Sequence, residues 1–361
     1  MVKYKKNGKL VFMERQSEIY NRIKIIAILL VVLGHCLIMF SPDGAIAVVC
    51  GSRLLGKLSG VIYHFHIPCF FMVSGALFCL GYQKGKYRAY GAFCRKKAVR
   101  LMVPYAFFGV VLLWPVLLIC GLLSPGELFG YFGRLIIGDQ VRHLWYLYAL
   151  FLIFCVFCPF GDWFTKRKQG RILVFSLIVN VVSRVLPFGF LGWFQLGNVL
   201  CYQFYFLCGV FLHLNFEEVL AFVCEKKAVP TICFVLLLLS CFINIIAVTD
   251  VIYALAGMIL VLWFASRLAE KSAVAESSLL TLLNRDAYGV YLFHPLLVYL
   301  IYHIFSDVAV FPYFLALIAF ALSLILSLAL TELFRRAGLG FAIGEGRRKR
   351  VDRISPPEKL S

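Results

Sequence analysis

Charge is scarce in this chain. Of its 361 residues only 15% are charged and 62% are hydrophobic, whereas a soluble domain carries roughly 25% charged and 45–50% apolar residues. An apolar excess of that size has to face lipid, which excludes a water-soluble globule. Acidic groups are the rarest, 18 against 36 basic ones, and none stands near the middle of an apolar run. Asp286 and Glu332 fall near one end of their runs, and Asp43, Asp139, Asp250 and Asp307 near the opposite end. A proton-coupled transporter needs a buried acid in its relay, so this absence argues against one. Low-complexity linkers, internal repeats and any stretch of soluble-domain composition are also missing. A separate soluble domain is thereby excluded.

What is present is a series of apolar blocks of about 15 to 25 residues, the length that crosses a hydrocarbon core about 30 Å thick at 1.5 Å per residue. Ten spans are expected, at residues 23–40, 61–82, 101–123, 143–160, 172–186, 196–214, 229–248, 251–266, 287–305 and 310–334. No small-residue cleavage site follows the first block, so it reads as a retained span and not a signal peptide. Residues 127–138 mix apolar and polar positions, as in an amphipathic helix lying on the membrane surface.

The formal net charge of +18 would suggest nucleic acid in a soluble chain; its placement here argues for no nucleic-acid partner. Of the 36 basic residues, 31 fall before or at the start of the first span, in alternate connections, or beyond the last span. The other five, Arg53, Lys57, Arg134, Arg142 and Arg184, lie in or beside the opposite connections. Such a one-sided count fits an even number of spans with both termini cytoplasmic. The expected fold is an all-α integral membrane protein of about ten transmembrane helices. Residues 1–340 form the membrane domain, and 341–361 a disordered basic cytoplasmic tail whose Arg347, Arg348, Lys349 and Arg350 suit anionic membrane lipid. The 13 cysteines lie mostly inside apolar blocks, where cysteine packs as a small hydrophobe. Cys155 and Cys158 have CxxC spacing but no second pair, so no disulfide framework and no metal site are expected.

The polar groups inside the spans are nearly all histidines, and burying them requires partners or a hydrated cavity. His35 lies 12 residues past Ile23, about 18 Å along its helix. His66 stands about five residues into the second span and is expected at a similar depth. His64, two residues earlier, is turned about 200° away. His294 approaches from the other direction, about 11 Å into the ninth span, and Pro295 after it frees a backbone carbonyl. A neutral imidazole, with a pKa near 6.5, suits general-base work at neutral pH. Lys24, Lys97 and Arg100 stand at the mouths of the first and third helices, where a cationic vestibule would hold the phosphates of coenzyme A.

At these residues the chain resembles the acyltransferase 3 family of multi-pass membrane acyltransferases, and within it the fucose 4-O-acetylase-like branch. Residues 23–38 (IKIIAILLVVLGHCLI) resemble the family's first helix, with Lys24 eleven positions before His35. Residues 63–77 (YHFHIPCFFMVSGAL) are similar to its second helix, through His66, Pro68, Phe70, Phe71, Ser74 and Gly75. Further matches are KKAVRLMVPY at 96–105, HLWYLYAL at 143–150 and YGVYLFHP at 288–295. The resemblance implies that His35 is the catalytic histidine and that Lys24 belongs to the acyl-donor site. Lys97 and Arg100 would line the cytoplasmic entrance, while His66, Ser74, His143, Trp145, Tyr291 and His294 would shape the substrate cavity. Tyr291 or His294 would donate to the developing oxyanion.

The family implies a membrane O-acyltransferase in the plasma (inner) membrane. Its donor is cytoplasmic acyl-CoA, with acetyl-CoA expected, and its acceptor is a hydroxyl of a cell-surface or lipid-linked glycan. Many members have arginine in place of Lys24. No SGNH-type esterase domain follows in this sequence, so transfer is expected within the membrane domain or through a separate partner. Two readings of other classes stay open at this point: a transporter or flippase for lipid-linked glycans, and an assembly subunit of a polysaccharide complex.

Overall fold

A backbone surrounded by hydrocarbon has no water to satisfy its N–H and C=O groups, so apolar runs of this length coil into helices that close their own hydrogen bonds. The computed structural model describes residues 2–87, 89–139, 141–166, 169–185, 193–243, 248–271 and 278–346. Among them there are helices and turns and no strand. The chain is an all-α membrane protein with eight helical stretches long and apolar enough to cross a bilayer among the described residues: Met13–Phe40, Arg53–Gln83, Tyr90–Ile119, Pro125–Phe157, Trp193–Leu214, Val248–Glu270, Ser278–Ile304 and Pro312–Arg336. The expected spans at 172–186 and 229–248 correspond to shorter helices, Gln169–Val185 and Ala228–Leu239. Residues 186 and 244–247 lie outside the described residues.

The helices that position the site are α1 (Val2–Leu37), α2 (Arg53–Gln83), α3 (Tyr90–Phe107), α4 (Trp114–Ile119), α5 (Leu128–Ile137), α6 (Trp145–Phe157), α7 (Gly161–Lys166), α8 (Gln169–Val185) and α9 (Leu196–Leu214). They continue with α10 (Phe216–Glu225), α11 (Ala228–Leu239), α12 (Val248–Lys271), α13 (Ser278–Ile304) and α14 (Pro312–Arg336). The first is central. It packs against α2, α12, α13 and α14, and Ile23, Ala27, Ile28, Val32 and Cys36 on it have lost essentially all solvent contact. The Tyr302 hydroxyl ties α13 to the end of α1 by donating to the Cys36 carbonyl at 2.7 Å.

In lipid, helix association depends on close backbone approach, which small residues permit. That is how α2 meets α9. A Cβ on Gly75 would overlap the carbonyl oxygen of Phe206, and one on Gly209 would overlap that of Met72. The Ser-Gly pair of the second helix is thus a packing requirement at its glycine. In the third span the expected block at 101–123 does not stay regular: residues Phe108–Leu113 open into a π-helical turn before Pro115. Proline lacks an N–H and clashes with the carbonyl four residues back, so the ladder shifts its register. The Tyr131 hydroxyl donates to the Gly109 carbonyl at 2.8 Å, which keeps that group satisfied.

The stretch expected to be amphipathic is α5. Its start is fixed by Glu127, whose carboxylate accepts from Ser124 N at 2.8 Å and Ser124 Oγ at 2.7 Å. Gly138, at φ +75°, ends it. Phe129 and Ile136 are exposed while Tyr131 and Leu135 are buried.

The packed chain continues past residue 340. A turn at Gly340–Ile343 buries Ala342 and Ile343, and Glu345 pairs with Arg335 at 2.7 Å. Arg335 also meets the buried Asp286 at 2.7 Å and Glu332 at 2.6 Å, which clamps α13, α14 and this segment together. The basic tail expected from Arg347 lies outside the described residues.

Candidate active site

Three helices and one turn each contribute an imidazole to a single cluster. His35 comes from α1, His66 from α2, His143 from the turn before α6, and His294 from α13. The His35 and His294 rings are 5.0 Å apart, centroid to centroid, in an edge-on arrangement. His143 follows at 6.4 Å from His294, and His66 lies within electrostatic reach of both His35 and His294. His66, His143 and His294 are buried, whereas His35 keeps accessible surface. Of the four, His35 is the one that is only partly buried.

Two of these rings are held by carbonyls of their own helices, four residues back. His66 stands two residues before Pro68, and its Nδ1 donates to the Ile62 carbonyl at 2.7 Å. His294 stands immediately before Pro295 and donates through Nδ1 to Val290 O at 2.8 Å. With Nδ1 carrying the proton, Nε2 of a neutral ring is an acceptor. On His294 that atom is buried and has no partner. Both ring nitrogens of His143 are also buried without a hydrogen bond. Three orphaned nitrogens in one cluster are costly in an apolar interior unless a water or substrate reaches them.

Tyrosines that sequence reasoning did not single out complete the cluster. Tyr63 Oη lies 3.5 Å from His35 Nδ1, and the Tyr63 ring packs 4.7 Å from that of His66. Tyr63 precedes His66 by three residues, a spacing that puts both on one helix face, and this was the signal available in the YHFH motif. Tyr146 Oη is 3.5 Å from Ser74 Oγ; its ring lies 5.5 Å from Tyr291 and 6.4 Å from Trp145. Tyr291 donates its hydroxyl proton to the His143 carbonyl. Consequently neither Tyr291 nor His294 has a proton free for an oxyanion in this arrangement. Tyr63 and Tyr146, with only long contacts, do.

His64 points elsewhere. Its Nδ1 is 3.3 Å from Asp250, which also meets Arg184 at 3.2 Å. The pair neutralises one of the five basic residues that the charge count left on the sparse side.

The three cations expected at the entrance form one group, away from His35 along α1: Lys24 and Lys97 are each within electrostatic reach of Arg100. Lys97 and Arg100 are one turn apart on α3 but behave differently. Lys97 Nζ rests 3.5 Å from the centre of the Phe154 ring, with Phe93 at 5.5 Å, a cation–π seat. Arg100 is exposed and lines a surface groove of about 670 Å³ with Arg95, Lys96, Gly344 and Gly346.

Arg100 also begins a continuous series of rings. Its guanidinium lies 6.0 Å from Tyr288, Tyr288 stacks on Tyr291 at 6.4 Å, Tyr291 is 6.3 Å from His294, and His294 is 5.0 Å from His35. Tyr288, Tyr291 and His294 recur every three residues on α13, which puts them along one side of the helix. From Tyr288 to His294 the series climbs six residues of α13, about 9 Å. Among the described residues no cluster of His, Cys, Asp and Glu has the makings of a metal site.

A family model described as an acyltransferase domain matches residues 19–332, which contain all four histidines of the cluster and Lys24, Lys97 and Arg100. No curated protein and no solved structure matches the chain.

Proposed function

The chain belongs to the acyltransferase 3 family and is a multi-pass membrane acyltransferase; on that premise we propose that it transfers an acyl group, acetyl before any longer one, from cytoplasmic acyl-coenzyme A to a hydroxyl of a cell-surface or lipid-linked glycan at the plasma membrane. The observation that supports this reading is the ring series from the exposed Arg100 to the accessible His35. It joins a cationic group suited to the phosphates of the donor with an imidazole suited to proton transfer.

In this mechanism the phosphates bind at Arg100, aided by Lys24, and the pantetheine arm runs along α13 toward His35. His35 accepts the proton of the acceptor hydroxyl as its oxygen attacks the thioester carbonyl. The C–S bond then breaks, the thiolate leaves with that proton, and an ester and a free thiol remain. A variant route places the acyl group first on His35 and then on the alcohol. A thioester needs little activation, so most of the rate comes from positioning in a site poor in water. Tyr63 and Tyr146 are the hydroxyls available to the developing oxyanion.

The test is incubation of membranes with radiolabelled acetyl-CoA, comparing the native protein with His35→Ala at equal membrane abundance. Label on glycan with the native protein and none with the variant supports the proposal. Label retained by the variant overturns it.

A further inference from the structure

Arg142 has no role in the mechanism above, yet its placement mirrors that of Arg100. It stands just before α6 and is exposed. The far end of α6 carries Phe154, on which Lys97 sits, so Arg142 lies at the end of the bundle opposite the Lys24–Lys97–Arg100 group. Its guanidinium is 6.0 Å from the Tyr299 ring. Tyr299 is eleven residues after Tyr288, a separation that returns to the same side of α13 about 16 Å further along. Tyr299 is within electrostatic reach of Tyr63, whose hydroxyl is 3.5 Å from His35 Nδ1. From Arg142, then, a second series of rings leads to His35 from the other end.

Two further facts set Arg142 apart. Its φ is +50°, a left-handed conformation that disfavours any side chain with a Cβ and persists where the surroundings impose it. The residue after it is anchored as well, since the His143 carbonyl accepts from the Tyr291 hydroxyl. Arg142 also has no carboxylate partner among the described residues, whereas Arg184 is neutralised by Asp250 and Lys57 rests on Phe242 at 4.8 Å. A glycine would suit that backbone better, so the arginine stands here against its own conformational preference.

We infer that Arg142 anchors an oxyanion carried by the acyl acceptor, either the phosphate of a lipid-linked saccharide or the carboxylate of an acidic one, at the mouth through which the acceptor reaches His35. The inference rests on the acyl-transfer reading for the identity of the acceptor, but the anion site itself is testable apart from it. Arginine's planar fork of donors matches both oxyanions.

The full-length protein, purified in lipid nanodiscs, is titrated with farnesyl diphosphate, with a glucuronate-containing disaccharide and with a neutral disaccharide. The variants are Arg142→Gly, which relieves the backbone and removes the guanidinium, and Arg142→Lys, which keeps the charge and loses the fork. One anionic probe is expected to bind the native protein and to bind Arg142→Gly about ten- to hundredfold more weakly, with Arg142→Lys between them. Which probe binds names the source of the oxyanion. A melting temperature of Arg142→Gly at or above the native value shows that folding is not the cause. Equal affinity in Arg142→Gly, or no preference for either anion over the neutral sugar, overturns the inference. Failure of the native protein to bind acetyl-CoA or to label glycan would refute the transferase chemistry instead, and would leave Arg142-dependent anion binding standing.

Discussion

The His294 ring stands edge-on to that of His35, centroids 5.0 Å apart with planes inclined at 71°, and it is fixed there by its own Nδ1 bond to Val290 O. One nitrogen of His294 is therefore committed to the backbone while the other is a buried acceptor without a partner. In the proposed mechanism His35 takes up a proton, and an acceptor beside it would stabilise and orient that imidazolium, a role that a carboxylate fills elsewhere. In a membrane interior a neutral acceptor serves this purpose without the cost of a buried charge.

This relationship predicts that His294→Ala lowers kcat for acyl transfer at least tenfold and leaves KM for acyl-CoA unchanged. His294→Gln, whose amide oxygen still accepts, should recover part of the loss. Steady-state kinetics on nanodisc-embedded protein separates the two parameters; an equal loss in both variants would show that the residue only fills space.

Tyr63→Phe removes the hydroxyl 3.5 Å from His35 Nδ1 and keeps the ring that packs on His66. A drop in kcat of about two- to tenfold is expected, the range of one neutral hydrogen bond. Donor affinity should not move, and the same kinetic series reads both.

At the basic mouth, Arg100→Gln should raise KM for acetyl-CoA about tenfold or more, and the effect should shrink as salt is added because the site is exposed. Acetyl-pantetheine, which lacks the nucleotide phosphates, should be used equally well by both proteins. Lys97→Met should have the smaller effect on KM, since its ammonium is occupied by the Phe154 ring.

Packing makes a prediction separate from catalysis. Gly209→Ala puts a methyl group into the Met72 carbonyl and Gly75→Ala puts one into that of Phe206, so α2 and α9 must move apart. Either variant should lose about 1–3 kcal/mol or more, as overpacked interiors do. The measurement is the melting temperature of detergent-solubilised protein, with Gly60→Ala, where nothing stands within 4 Å, as the control.

Several features of the site were readable from the order of residues. The distance from Lys24 to His35 is set by helical rise once the run is helical, and Tyr288, Tyr291 and His294 share a side of α13 because three-residue spacing demands it. The choice between His64 and His66 was readable only as an exclusion, since 200° of rotation prevents both from facing one way. Which one faces His35 depended on the packing of α2 between α1 and α9, a tertiary fact. The same packing paired His64 with Asp250, 186 positions later, and brought Arg184 to the same carboxylate. No local pattern encodes such a meeting.

Composition and apolar periodicity were enough to make this chain a helical membrane protein, because hydrocarbon leaves a long apolar backbone no other way to satisfy its hydrogen bonds. The motifs were enough to single out His35 as the candidate. Tertiary structure alone decided that four histidines from distant parts of the chain share one cluster, that Lys97 turns to a ring while Arg100 stays open, and that Arg142 stands beside Tyr299. Each of those outcomes depends on how helices cross. Crossings are set by the summed fit of many side chains and a few glycines, not by any short stretch of sequence.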